Sequence, residues 1–160
     1  MINKKMFPLY FDLTDTNVTF IGGGKIAERR IFTILDFVKS VKVIAPEITP
    51  ALEKLYVKNK IIWIKRAFEE NDTEGADMVL TMTNSKEVNN RVYEECRKNH
   101  ILVNNAGDGN QSEFHFPGII CYDGIVIGFN GGGNKHTETR KIREKVEAFL
   151  KSQGKENQEG

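Results

Sequence analysis

The sequence predicts an α/β protein: a Rossmann-like, doubly wound, mostly parallel sheet that closes with a C-terminal antiparallel hairpin and a helix. Three observations predict it. Short β-branched and aromatic runs alternate with segments of helical spacing, the pattern of strands joined by crossover helices. The first run, NVTFI (17–21), passes at once into Gly22-Gly23-Gly24 and then into a helical segment. The alternation stops near residue 118, where GIICY (118–122) and IVIGF (125–129) flank Asp123-Gly124, a loop suited to a type I′ hairpin.

Each element has its own signal. Over 25–38, Ile26, Ala27, Ile31, Ile34, Leu35 and Val38 recur at helical spacing. VKVIA (41–45) is the second strand, and Thr49-Pro50 then supplies an N-cap and a first helical residue for a helix reaching Lys58. IIWIKR (61–66) and ADMVLTM (76–82) are the third and fourth strands, with the charged AFEENDTEG between them a loop or a single helical turn. The helix over 85–99 starts at Ser85 and places Val88, Val92, Tyr93 and Cys96 on one face. ILVNN (101–105) is the fifth strand, and the hairpin is expected at the edge of the same sheet. A last helix, 137–152, carries Ile142, Val146, Phe149 and Leu150 on one side. One domain is expected over 1–153, with 154–160 a polar tail.

Composition excludes several classes. A hydrophobic content of 39% and a charged content of 28% describe a globular chain, neither disordered nor fibrous. A net charge of +1 leaves no basic footprint for nucleic acid. No apolar run approaches the ~20 residues of a membrane span. Asp12 ends the brief apolar piece near the N-terminus, which argues against a signal peptide, so a cytoplasmic location is expected. Cys96 and Cys121 have neither CxxC partners nor metal spacing and read as buried small hydrophobes; Trp63 and the phenylalanines read mostly as core.

The glycine turn carries the chemistry. Gly22, Gly24 and Ala27 satisfy G-x-G-x-x-G/A, with Gly22 making the tight turn, Gly24 letting a pyrophosphate approach the backbone and Ala27 packing helix on strand. The free amides and positive dipole end at the helix start would hold the phosphates. The acidic residue that usually binds the adenosine ribose is missing from the end of the second strand, which reads Ala45-Pro46 with Glu47 just beyond. Either Glu47 reaches the ribose hydroxyls, or backbone groups around Ala45, Pro46 and Glu47 replace it. NAD is favoured over NADP because no arginine stands there for a 2′-phosphate; Lys42 within the strand is the counterargument.

Phe7-Pro8-Leu9, VTFIGGGKIAERR (18–30), VIAPEITP (43–50), the stretch around Thr83 and the closing REKVEAFL (143–150) together resemble the precorrin-2 dehydrogenase family, the dehydrogenase domain of siroheme synthases. Asn104 and the later Phe116-Pro117 resemble its central stretch. The resemblance implies NAD-dependent removal of hydride from precorrin-2, giving sirohydrochlorin on the route to siroheme, by a homodimer that orients a polycarboxylated macrocycle. It implies NAD contacts at Gly22, Gly23, Gly24, Lys25, Ile26, Ala45, Pro46 and Glu47, with Thr83 and Asn84 beside the nicotinamide and Asn104 on the substrate side.

Two stretches depart from the family pattern. Its catalytic aspartate falls on Gly107, so Asp108 is the candidate acid-base group, with His115 a second proton acceptor. The loop Asn130-Gly-Gly-Gly-Asn-Lys-His136 lacks the family's serine and proline; Lys135, His136 and Arg140 either pair with substrate carboxylates or form an ordinary basic surface. Asp108, Glu113, His115 and His136 show no ligand spacing, so no metal site is expected, although some members insert iron. Arg29 and Arg30 read as a solvated face. The residues leave open an active dehydrogenase, a dinucleotide- or tetrapyrrole-binding module that has lost oxidation, and an unrelated Rossmann oxidoreductase acting on another anion.

Overall fold

The computed structural model describes residues 6–132 and 135–156. Two compact units are present: Phe11–His115, and a second in which the N-terminal segment to Tyr10 joins the chain from Phe116 onward.

In the first unit, β1 (Asn17–Ile21), β2 (Ser40–Ile44), β3 (Ile62–Ile64), β4 (Met78–Thr81) and β5 (Leu102–Asn105) form one sheet in the order β3-β2-β1-β4-β5. Every pairing is parallel. Strands buried on both faces need near-continuous apolar runs, and MVLT of β4 is buried at all four positions. On one face Ile21, Ile44, Val79 and Val103 pack with Val92 and Cys96 of α3 (Lys86–Lys98) and with Phe68 and Ala76. The alternate residues Phe20, Val43 and Leu80 are fully buried as well.

The helices obey their caps. Thr49 Oγ1 accepts from Leu52 N at the start of α2 (Pro50–Val57), and Ser85 Oγ accepts from Val88 N at the start of α3. The first helix, α1 (Lys25–Ile34), stops short of the expected Val38. Phe37 N turns back to Ile34 O, and Thr16 O takes the amides of Lys39 and Ser40, so the chain is already entering β2. The charged β3–β4 connection is bonded to itself. Arg66 grips Asp72 through two 2.7 Å bonds, and Glu95 of α3 accepts from Asn71 N, Thr73 N and the Thr73 hydroxyl.

The hairpin does not extend this sheet, contrary to expectation. The outer edge of β5 is taken by the chain that follows it: Asn104 bridges Ser112, and Glu113 N donates to Val103 O. β6 (Gly118–Tyr122) and β7 (Ile125–Phe129) therefore form their own antiparallel pair in the second unit. Asp123 and Gly124, with φ of 47° and 75°, make the I′ turn that this dipeptide favours. Tyr10 donates to Val126 O, which ties the N-terminal segment to β7.

The last helix, α4 (His136–Glu156), begins one residue earlier than predicted and continues through Gly154. Of the tail, 157–160 lie outside the described residues, as do Gly133 and Asn134 of the glycine loop. The expected apolar stripe is split: Val146 and Leu150 are half-buried, whereas Ile142 and Phe149 are exposed. Arg143 shares the inward side, its stem lying against Gly118 while its guanidinium pairs with Glu147. Two further expectations are corrected. Cys121 is exposed, because strand alternation turns Ile120 inward and its neighbour out. Only Phe20 and Phe68 among the phenylalanines are core residues, while Phe7, Phe11 and Phe32 are exposed.

The Arg66–Asp72 fork makes a pH prediction. Burial raises the Asp72 carboxyl, but the Arg66 bonds, the Glu69 amide and the Arg66 and Lys42 charges outweigh it and hold the pKa below its ordinary 3.8. A depressed carboxyl stabilises the fold above its unfolded value and loses that contribution as pH falls through the folded one. Asp72→Asn should therefore be less stable than the parent at neutral pH, and the difference should shrink as urea midpoints are measured down through pH 3.8 and below.

Candidate dinucleotide site

Sheet register places the last strand residues on one level: Ile44 pairs with Ile21, Ile21 with Thr81, and Thr81 with Asn105. From this row, at the carboxyl edge, leave the loops carrying Ala45, Pro46 and Glu47; Gly22, Gly23 and Gly24; Thr83 and Asn84; and Gly107 and Asp108. Strand order reverses between β1 and β4, and crevices at such reversals are where open α/β sheets bind ligands.

The glycine turn is shaped by contact on one side and open on the other. Gly22 has a φ of +110°, and a Cβ there would stand 3.0 Å from Met82 O, so only glycine suits the turn. A Cβ on Gly23 would lie 2.6 Å from Glu47 O and from Ile48 Cγ2, a restriction the fingerprint assigns to no particular residue. Nothing lies within 4 Å of the same point on Gly24. Gly24 is also the N-cap of α1 and provides no side-chain cap. Ala27 is fully buried, as the close packing of α1 on β1 requires. Open space over Gly24 together with uncapped helix amides fits a dinucleotide pyrophosphate.

The surrounding side chains are already engaged. Lys25 pairs with Glu28 at 3.2 Å, and bonds from Thr49 and Lys25 hold the Glu28 carboxyl below its ordinary range. Ile26 is exposed beside the turn. Ala45 is buried and its carbonyl accepts from the Trp63 indole, whereas Pro46 and Glu47 are exposed. Lys42 is turned away to Asp72 O.

Beyond β4, Thr83 is held by Asn89, a buried asparagine of α3, and Asn84 is exposed. Beyond β5, Asn105 plays a similar part: its Oδ1 accepts from Gly107 N and its Nδ2 donates to Gln111. Asp108 is half-buried; its Oδ1 accepts from Asn110 N and caps the single 3-10 turn Gly109–Gln111. His115 lies on the same segment, its Cε1 4.0 Å from the point where a Gly109 Cβ would stand. Asn104 is buried one residue before the row, where it accepts from Arg30 Nη1 at 2.6 Å and donates to Phe114 O.

Arg30 is accordingly half-buried, not on a solvated face; burial, with a smaller push from Arg29, lowers its guanidinium to about 10, still charged at neutral pH. Cys96 is inert, its thiol pushed up to about 12 by burial and then by Glu95 and Glu113. Lys135, His136 and Arg140 belong to the second unit, all exposed at the start of α4, with Arg140 paired to Glu144. Among the described residues no three His, Cys, Asp or Glu side chains could hold a metal ion. No helix among them is long and apolar enough to cross a membrane.

The family model described as "Putative NAD(P)-binding" matches residues 9–118. The chain belongs to this NAD(P)-binding family. Its relatives include the siroheme synthase of Blochmanniella pennsylvanica (strain BPEN), 32% identical over 143 residues, which are 89% of this chain and 30% of that one. The siroheme synthase of Actinobacillus pleuropneumoniae serotype 3 (strain JL03) is 33% identical over 143 residues, 89% of this chain and 29% of that one. The chain thus spans under a third of the length of these relatives. Among solved structures, one titled SirC, precorrin-2 dehydrogenase, superposes with a TM-score of 0.76 at 23% identity, covering 91% of this chain and 74% of that one, and shares the fold.

Asn89 and Asn105 are the site residues that sequence reasoning missed. The available signal was a polar residue on the inner face of a helix, one turn before Val92, and a second polar residue closing an apolar strand.

Gly23 and Gly24 separate folding from binding. Gly24→Ala should leave the melting temperature nearly unchanged and weaken NADH binding about tenfold or more, because the added methyl enters the open space that a pyrophosphate would fit. Gly23→Ala should lower the melting temperature itself, because its methyl strikes the Glu47 backbone. Thermal melts and NADH titration of both variants check this.

Proposed function

We propose that the chain is a precorrin-2 dehydrogenase module that uses NAD to convert precorrin-2 to sirohydrochlorin in siroheme biosynthesis, as a cytoplasmic homodimer. The observation that carries the reading is the open, uncapped glycine turn at Gly24, level with the Thr83 and Asp108 loops at the strand-order reversal. Likeness to siroheme synthases over most of the chain supports the substrate. Lys42, committed to Asp72 O, supports NAD over NADP.

When bound, NAD supplies the hydride acceptor. Amides at the start of α1 hold its phosphates, and the backbone around Ala45 and Glu47 borders the adenosine side. Loss of hydride leaves the substrate with a proton to give up. Asp108 takes it at Oδ2, since Oδ1 is occupied by Asn110 N, and His115 stands on the same segment as the alternative acceptor. Lys135, His136 and Arg140 of the second unit are the candidate partners for the substrate's carboxylates, and within the first unit Asn104 supports the dinucleotide site through Arg30 and Phe114.

A second reading, a binding module without oxidation, draws on the absence of a side chain at Gly107 and on the use of Asp108 as a turn cap. A Cβ at Gly107 would meet Asn105 Oδ1 at 3.4 Å and Asn89 Nδ2 at 3.7 Å, both ordinary van der Waals contacts.

Anaerobic incubation with precorrin-2 and NAD, followed by NADH absorbance, separates the readings. The dehydrogenase should turn over above the spontaneous rate, and Asp108→Ala should slow it roughly 10²-fold without weakening NAD binding. A silent parent chain that binds NAD and gains turnover with Gly107→Asp would establish the second reading.

A further inference from the structure

Asn89 lies only 5% exposed beneath the carboxyl edge of β4. Its Oδ1 gathers the Thr81 hydroxyl at 2.7 Å, the Thr83 hydroxyl at 2.8 Å and Thr83 N at 3.0 Å. Its Nδ2 donates to Thr83 O at 3.0 Å. The side-chain amide therefore pairs with residue 83 on both main-chain groups, as a neighbouring strand would. The Thr83 hydroxyl also accepts from Ser85 N and lies 3.0 Å from Ser85 O, so both donors of Thr83, N–H and O–H, are spent inside the protein. On its other side, Asn89 Nδ2 stands 3.7 Å from where a Cβ of Gly107 would be, so one buried amide lies between the β4 and β5 loops.

We infer that Asn89 is a positioning residue that fixes the nicotinamide end of the dinucleotide site. It clamps the Thr83 main chain and sets its spacing from the Gly107 loop. The inference rests on the NAD reading above and adds to it how Thr83 acts: as a rigid wall, with no donor left for the ligand. Restraint of the nicotinamide comes from the position of residue 83, and that position comes from α3. The adenosine half is held elsewhere, by the glycine turn and the β2 loop, so the clamp should act on one half of the ligand only.

The full chain is titrated with ADP-ribose, which lacks nicotinamide, and with NADH, whose emission reports how its nicotinamide is held. In Asn89→Ala, ADP-ribose affinity should stay within about twofold of the parent, while emission enhancement of NADH at saturation falls by roughly half or more. Asn89→Asp keeps the size and the acceptor but loses the donor to Thr83 O; it should show the same split more weakly, and it carries the test if the alanine variant does not fold. Unchanged enhancement in a folded variant overturns the clamp, as does a parallel loss of ADP-ribose affinity or a parent chain that binds NADH without enhancement. A parent chain that binds neither ligand overturns the NAD site itself.

Discussion

The first unit depends on one close passage, that of the chain at Gly22 over the main chain of Met82. β1 and β4 are neighbours in the sheet, and both must leave its carboxyl edge without collision. A φ of +110° lets β1 turn away immediately, and Gly22 N is then satisfied by Ile44 O. From that turn follow the direction of α1, the burial of Ala27 and the exposure of the helix amides. Any side chain at residue 22 would press on the main chain of Met82 and Thr83, just where the chain leaves β4.

Around this passage the polar groups are arranged in a consistent way. Thr49 N bonds Gly23 O, Asn89 grips residue 83, and Asn105 grips residue 107. The loops after β4 and β5 are thus anchored by a group on the helix that follows or on the strand just left, and the glycine turn by the neighbouring loop after β2. Buried amides are costly unless both ends are bonded, and Asn89 and Asn105 meet that condition. A rigid rim leaves little to be ordered when a ligand arrives.

Much of this architecture was legible because it rests on periodicity and on residues with unusual backbone freedom. NVTFI reports an extended buried run, Gly22 a backbone conformation that other residues rarely adopt, and Thr49-Pro50 a helix start. Asn89 was hidden because helical patterning counts apolar residues, and a bonded asparagine on the inner face interrupts that count without breaking the helix. Arg30 was misjudged for a related reason: its partner, Asn104, is 74 residues away in sequence, and nothing local marks the pairing. The constraint on Gly23 comes from Glu47 and Ile48, again a distant segment. Of the candidate site, the glycine turn was readable from local signals, and the supports beneath the loops at the sheet edge were not.

The segment Ser112–Glu113 that runs along β5 has a consequence beyond stopping the hairpin from joining the sheet. A parallel sheet ends in two rows of unpaired main-chain groups that invite strands from other molecules. Here one border is occupied by the protein's own chain, and the other is β3, only three residues long. The five-stranded sheet therefore offers little template for edge-to-edge growth into fibrils, a protection built into the connection that also carries Asp108 and His115.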